Sequence, residues 1–294
     1  MKAIARKKMK RSVQDWILDS FIYVVLTVIL LVCLYPVWYV IVCSFSNSSD
    51  VIQHTGLYLW PDSFNLEAYG KVFENIMVQR GFRNTLLILA CSLPLSLILT
   101  LFCGYFMACK NMVFKKPIVF IMLFTMYFGG GMIPGYINMM ELGLLDSMWS
   151  LVLSSAISIY NSIICKTAIE AIPESLSESA YIDGANDFQI LVKIITPLIK
   201  PTLAVLLLYY LVGQWNSWFA ASIYLKTESK LPLQNVLRYI LMENSTTNLG
   251  EEYNEYAATI KYAIIVVSSF PIMCVYPFLQ KYFTKGVMIG AVKG

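Results

Sequence analysis

The chain has 294 residues, 58% of them hydrophobic and only 14% charged, with a formal net charge of +4. Soluble domains carry about 25% charged residues, so this composition excludes an ordinary water-soluble protein and makes lipid the solvent for much of the surface. The chain has no GxxxxGK[ST] loop to cradle a nucleotide, and its single histidine, His54, rules out an HExxH metal site.

In chain order, the basic start (Lys7, Lys8, Lys10, Arg11) reads as a topology determinant rather than a nucleic-acid arm. The apolar run behind it is too long for the core of a signal peptide, and no small-x-small cleavage site closes it before Pro36. Six stretches contain no Asp, Glu, Lys or Arg: 20–49, 84–109, 117–140, 147–165, 201–225 and 262–280. About 20 apolar residues in a helix cross a bilayer, and a charge at a helix centre costs about 2.5–3.5 kcal/mol on the insertion scale. The gaps therefore predict an all-α membrane protein with six transmembrane helices. Placing both termini in the cytoplasm puts fifteen Lys and Arg inside and seven outside, as the positive-inside rule requires.

The seven cysteines (33, 43, 91, 103, 109, 165, 274) all fall in or at the ends of these stretches without a CxxC pair, which predicts neither disulfide nor metal site. Gly129, Gly130 and Gly131, inside the third stretch, predict a helix break or a close helix approach. No span carries an acid or base within its apolar length, which counts against an ion-coupled carrier or an intramembrane enzyme. Energy for transport must then come from another subunit.

Between the fourth and fifth stretches lies a cytoplasmic segment, 173–197. Pro173 suits a first helical turn. Glu174 to Asp183 reads as a short helix, and Gly184 suits the left-handed position that ends it. Asn186 with Gln189 three residues on suits the cap of a second helix, which Pro197 and Pro201 break. The result is a helix–turn–helix with Ser177, Ser179 and Ala180 exposed for close contact and the acids Glu178 and Asp183 near the turn. An amphipathic hairpin lying along the bilayer is the other reading of the same residues.

The run Glu178-Ser179-Ala180-Tyr181-Ile182-Asp183-Gly184-Ala185, continuing to Ile194, Pro197 and Pro201, closely resembles the EAA motif of permease subunits of binding-protein-dependent ABC importers. It departs from the motif at Ser179 and at Thr196, where Leu usually precedes the proline. Asn84, Gly104-Tyr105, Trp215-Asn216 and the ending from Gln280 through Gly286 and Gly290 to Gly294 resemble patterns of the carbohydrate-uptake branch. Gly130-Gly131-Met132-Ile133-Pro134 is similar to a stretch common in its complex-polysaccharide and lipo-oligosaccharide group. The likeness covers roughly 80–294. It implies an N-terminal segment, first helix and outer loop over 1–79, an importer transmembrane domain over 80–281 and a cytoplasmic tail over 282–294.

The resemblance further implies a coupling helix, made by Glu178, Ser179, Ala180, Asp183, Gly184 and Ala185, that seats on an ATPase subunit. Expected partners are a second homologous permease, two ATP-binding subunits, an extracellular solute-binding protein, a sugar or oligosaccharide and membrane lipid, with no nucleic acid. ATP and magnesium belong to the ATPase partner, and this chain holds no cofactor. The expected location is the bacterial cytoplasmic membrane. Gly286 and Gly290 are candidates for a tail contact with the ATPases. Asn216, Trp215, Tyr209 and Asn161 are candidates for the substrate pathway, since aromatic faces with polar tips suit sugar rings. The same residues equally suit interfacial anchoring or packing. A peptide or amino-acid permease and a self-sufficient carrier are the competing functions.

Overall fold

The computed structural model describes residues 12–110, 112–246 and 257–291. In order, the helices are α1 (Val13–Ser44), α2 (Ser48–Gln53), α3 (Glu67–Glu74), α4 (Ile76–Ala108), α5 (Lys115–Tyr127), α6 (Met132–Glu141) and α7 (Met148–Ser154). They continue as α8 (Ile159–Glu170), α9 (Glu174–Ile182), α10 (Asp187–Leu198), α11 (Lys200–Trp215), α12 (Phe219–Tyr224), α13 (Leu233–Thr246) and α14 (Ala257–Ala291). The described residues contain no strand. A helix satisfies its own backbone within one segment, which an open strand cannot do in lipid.

Three helices, Val13–Ser44, Ile76–Ala108 and Ala258–Val275, are long and apolar enough to cross a membrane alone. Three bent pairs pass the same test together, which makes up to six spans if each pair is one crossing. The sequence predicts a helix break or close approach at Gly129, Gly130 and Gly131 and a break at Pro197 and Pro201, but none within 147–165; the structure bends all three pairs. The α5–α6 pair bends by 115° after the glycine run, where Gly131 holds φ at +91°. The α7–α8 pair bends by 47° across 155–158, with Ser158 capping α8 through the Asn161 N–H. The α10–α11 pair bends by 84° at Ile199. The expected run 201–225 likewise ends a helix at Trp215, and α12 begins after a gap.

The chain folds as two compact units. In the unit formed by residues 1–71 and 252–266, Val42, Cys43 and Tyr58 are buried beside Tyr39 and Tyr262, whose rings meet edge to face at 5.9 Å. In the unit formed by 72–251 and 267–294, α4 is the central column and packs against α7, α8, α11 and α13. Its buried face joins the apolar Val78, Ile88, Leu89 and Met107 to many small or polar residues (Gly81, Asn84, Ser92, Ser96, Thr100, Gly104), which helix faces that associate inside lipid tend to carry. Asn75 caps α4 by accepting the N–H groups of Met77 and Val78.

Candidate functional site

The α9–α10 hairpin is built from local chemistry. After Ile182, Gly184 takes φ +86°, its N–H donates to Tyr181 O at 3.0 Å, and the Ala185 N–H reaches back to Ala180 O at 2.9 Å. These two bonds make a Schellman end, which closes the carbonyls that a helix leaves unpaired. Two residues later Asn186 Oδ1 accepts the Gln189 N–H at 2.9 Å while Gln189 Oε1 accepts the Asn186 N–H at 3.1 Å, a full capping box. Residues 190–195 then widen into a π-helical turn in which both the N–H and the hydroxyl of Thr196 bond Leu191 O. That turn lies just ahead of Pro197, which has no N–H to continue an α-helical ladder.

The hairpin is rooted in the bundle. Ala180, Ile190, Leu191, Ile195 and Ile199 share one buried cluster with Cys165 and Ile169 of α8 and Leu206 of α11, against Leu101 and Tyr105 of α4. Ala180 was expected to be exposed for close contact and instead is buried, because its small side chain sits on the face of α9 turned into this cluster. Glu178, Ser179, Asp183 and Gly184 are exposed and Ala185 is half-buried. At the tip Ile182 is 87% exposed, an apolar knob that the sequence reading did not single out.

Charge gathers around α9. Lys110 Nζ lies 2.6 Å from Glu174 Oε1, and Lys166 pairs with Glu170 at 3.4 Å. The Glu174 carboxylate, with Glu178 and Glu170 nearby, holds the Lys110 ammonium above its ordinary pKa. The hydroxyls of Tyr105, on α4, and Tyr181, on α9, both donate to Asp187 Oδ1, the first at 2.9 Å. The bond to Asp187, followed by burial, raises the Tyr181 phenol above its usual value. A groove of about 860 Å³ opens beside these residues, between the end of α4 and α9. The Asp187–Tyr105 and Lys110–Glu174 pairings are not legible in the sequence, although Tyr105 stands in a motif there, because nothing in a linear pattern announces pairs 64 to 82 residues apart.

The pathway candidates divide. Trp215 is buried, its indole N–H donates to Ser268 O at 3.2 Å, and its ring meets Phe82 at 6.4 Å. Asn161 is buried in the first turn of α8. Tyr209 and Asn216 are exposed, and Asn216 forms the C-cap of α11 rather than a mid-helix position. Tyr210, adjacent to one of them, bridges three elements: its hydroxyl bonds Thr100 Oγ1 at 2.6 Å and accepts the Ser158 N–H at 3.0 Å. Gly286 and Gly290 fall in the backbone of α14, and their surroundings, like residues 292–294, lie outside the described residues.

At the other motif positions, Asn84 is buried and its Nδ2 donates to Ser229 O at 2.8 Å and Leu231 O at 3.0 Å. The same loop is gripped by Asp146, which holds φ at +57° and accepts from the Lys226 and Thr227 N–H groups, Thr227 Oγ1 and Lys230 Nζ at 2.7 to 3.0 Å. Lys230 and these donors keep the Asp146 carboxyl far below the usual carboxylate range.

Residues 86–289 match the family profile described as "binding-protein-dependent transport system inner membrane component". The chain is similar to the polygalacturonan/rhamnogalacturonan transport system permease protein YtcP of Bacillus subtilis, with 37% identity covering 94% of this chain and 98% of that protein. It is also similar to the protein LplC of the same organism, at 36% identity over 88% of this chain and 89% of the relative. Among solved structures it resembles a chain of a bacterial ABC transporter involved in the import of the acidic polysaccharide alginate, with a TM-score of 0.86, 34% identity and coverage of 93% and 99%.

Proposed function

This chain belongs to the family of binding-protein-dependent transport system inner membrane components, and on that premise we propose that it is the sugar-importing half-pathway of an ABC transporter. It is a non-catalytic membrane subunit. The solute proposed is an oligosaccharide released from a larger polysaccharide, because relatives at 34% and 37% identity are named for polysaccharide transport. It crosses the bacterial cytoplasmic membrane six times, each bent pair counting once, with both ends inside. The fifteen-to-seven distribution of basic residues supports that orientation.

A second permease completes the pathway, two ATPase subunits lie beneath, and an external binding protein delivers the solute. ATP and magnesium act in the ATPases. Helix α9, with Glu178, Ser179, Asp183 and Gly184 at its surface, seats on one of them. The observation that carries this reading is the closed, capped hairpin rooted in the bundle. A short helix whose C-terminal end is closed by the Gly184 and Ala185 bonds and whose Ala180 packs into the bundle moves as a body, whereas a loop would absorb the displacement. ATP-driven closure then rocks the helices between inward-facing and outward-facing arrangements, a rigid-body switch. Asn216 and Tyr209, exposed near the end of α11, are the better placed of the pathway candidates to meet a solute.

The test is co-purification from the native membrane followed by reconstitution. Oligosaccharide uptake should require this chain, the second permease, the ATPases and the binding protein together. Uptake by the purified chain alone would mark it as a self-sufficient carrier and sink the proposal.

A further inference from the structure

Besides the packing of Ala180 and the short link back to α8, two mechanical routes lead onward from α9 into the bundle. The covalent route onward from α9 runs through the π-helical turn at 190–195 and then the 84° bend at Ile199 before reaching α11. Both features are compliant, since each interrupts the α-helical hydrogen-bond ladder. The second route is non-covalent and short. At its far end, Tyr181 of α9 and Tyr105 of α4 donate to the same carboxylate oxygen of Asp187. At its near end, Glu174 pairs with Lys110, two residues beyond the end of α4. Helix α9 is thereby tied at both ends to the cytoplasmic end of the column that packs against α7, α8, α11 and α13.

Resting on the coupling reading above, we infer that Asp187 is a positioning residue that delivers the displacement of α9 directly to α4 through Tyr105 and Tyr181. The two ties differ in weight. The Lys110–Glu174 pair is exposed on both sides, at 72% and 62%, and exposed ion pairs hold little. The tyrosine bonds are exposed as well, but two of them converge on one carboxylate oxygen, and bonds to a carboxylate are shorter and stronger than neutral ones. Asp187 is also the first residue of α10, so the same side chain belongs to the capped turn and to the strut. Loss of the carboxylate leaves the Asn186–Gln189 cap intact, because that cap uses other atoms.

The experiment uses the whole transporter in nanodiscs, with a fluorophore on Arg83→Cys near the start of α4 after the exposed Cys33, Cys91 and Cys274 are replaced by serine. The readout is the fluorescence change on trapping with ATP and vanadate, normalised to the ATPase subunit retained per permease. Asp187→Ala should lower that change about tenfold or more, the scale of one lost hydrogen bond to a charged group. Asp187→Asn, whose neutral amide oxygen still accepts, should fall between Asp187→Ala and the native chain, and Tyr105→Phe should lower the change without touching α9.

A full normalised change in Asp187→Ala overturns the inference. So does a loss that vanishes on normalisation, which would make Asp187 an assembly residue only. A cross-link from Ser179→Cys to the ATPase separates seating of α9 on the ATPase from transmission through Asp187. If it fails in the otherwise native transporter, the coupling reading is wrong; if it forms while Asp187→Ala moves α4 normally, only this inference is.

Discussion

A Cβ atom placed on Gly104 would lie 2.8 Å from Cys165 Cβ and 2.9 Å from its Sγ, so the Cys165 side chain of α8 packs directly on the Gly104 backbone of α4. Real Cβ atoms do not approach so closely, and the obstructing atoms belong to the root of a buried side chain that cannot swing away. Gly104→Ala should push the helices apart at about 1–3 kcal/mol, the usual scale of overpacking. Thermal unfolding in detergent should show the loss, and Gly104→Ala with Cys165→Gly should recover much of it. An unshifted midpoint in the single variant would mean the helices separate freely.

Gly184 presents the opposite case. No atom lies within 4 Å of a Cβ built there, so space is no obstacle, but φ at +86° is. Gly184→Ala should cost about 1–2 kcal/mol through left-handed strain alone, and Gly184→Asn less. Gly184→Trp should insert into the membrane normally yet separate ATP hydrolysis from transport, since its ring would project into the face proposed to meet the ATPase. Normal uptake by membranes containing the Trp variant would remove α9 from the coupling role.

The Asp146 clasp predicts a pH profile. A group whose folded pKa is depressed adds stability that is present above its unfolded value, near 3.9, and is lost as pH falls from there through the folded value. The donors around Asp146 hold that folded value far below the ordinary range. The difference in unfolding midpoint between the native chain and Asp146→Asn should therefore be the same at pH 7.5 and pH 5. It should shrink as the pH falls from 5 to 3, and a difference that stays constant over that range would show the carboxylate is not held by Lys230 and the Thr227 amide.

Tyr210→Phe removes one oxygen that serves two elements. The Ser158 N–H loses its partner at the break in the fourth apolar segment, and Thr100 loses its hydroxyl contact. Interhelical bonds of this kind in membranes average about 0.6 kcal/mol and reach about 1.7. A destabilisation in that range, with faster amide exchange at 158–162, is expected. Unchanged exchange there would show that the break is held by other bonds.

What the sequence determined by itself was whatever depends on neighbours along the chain. Charge-free runs mark spans because the cost of a buried charge applies residue by residue. The ends of α9 and α10 were legible at Gly184, Asn186 and Gln189 because a cap is a contract among residues three or four apart. The tertiary structure alone decided the rest. It turned Ala180 inward, bent the α7–α8 pair, set the angles at the glycine run and at Ile199, buried Trp215 and left Asn216 exposed. It also joined Asp187 to Tyr105, Asn84 to the Ser229 carbonyl and Asp146 to Lys230, across 82, 145 and 84 residues. Such contacts form only when helices pack, and packing depends on surface shape that no local pattern encodes.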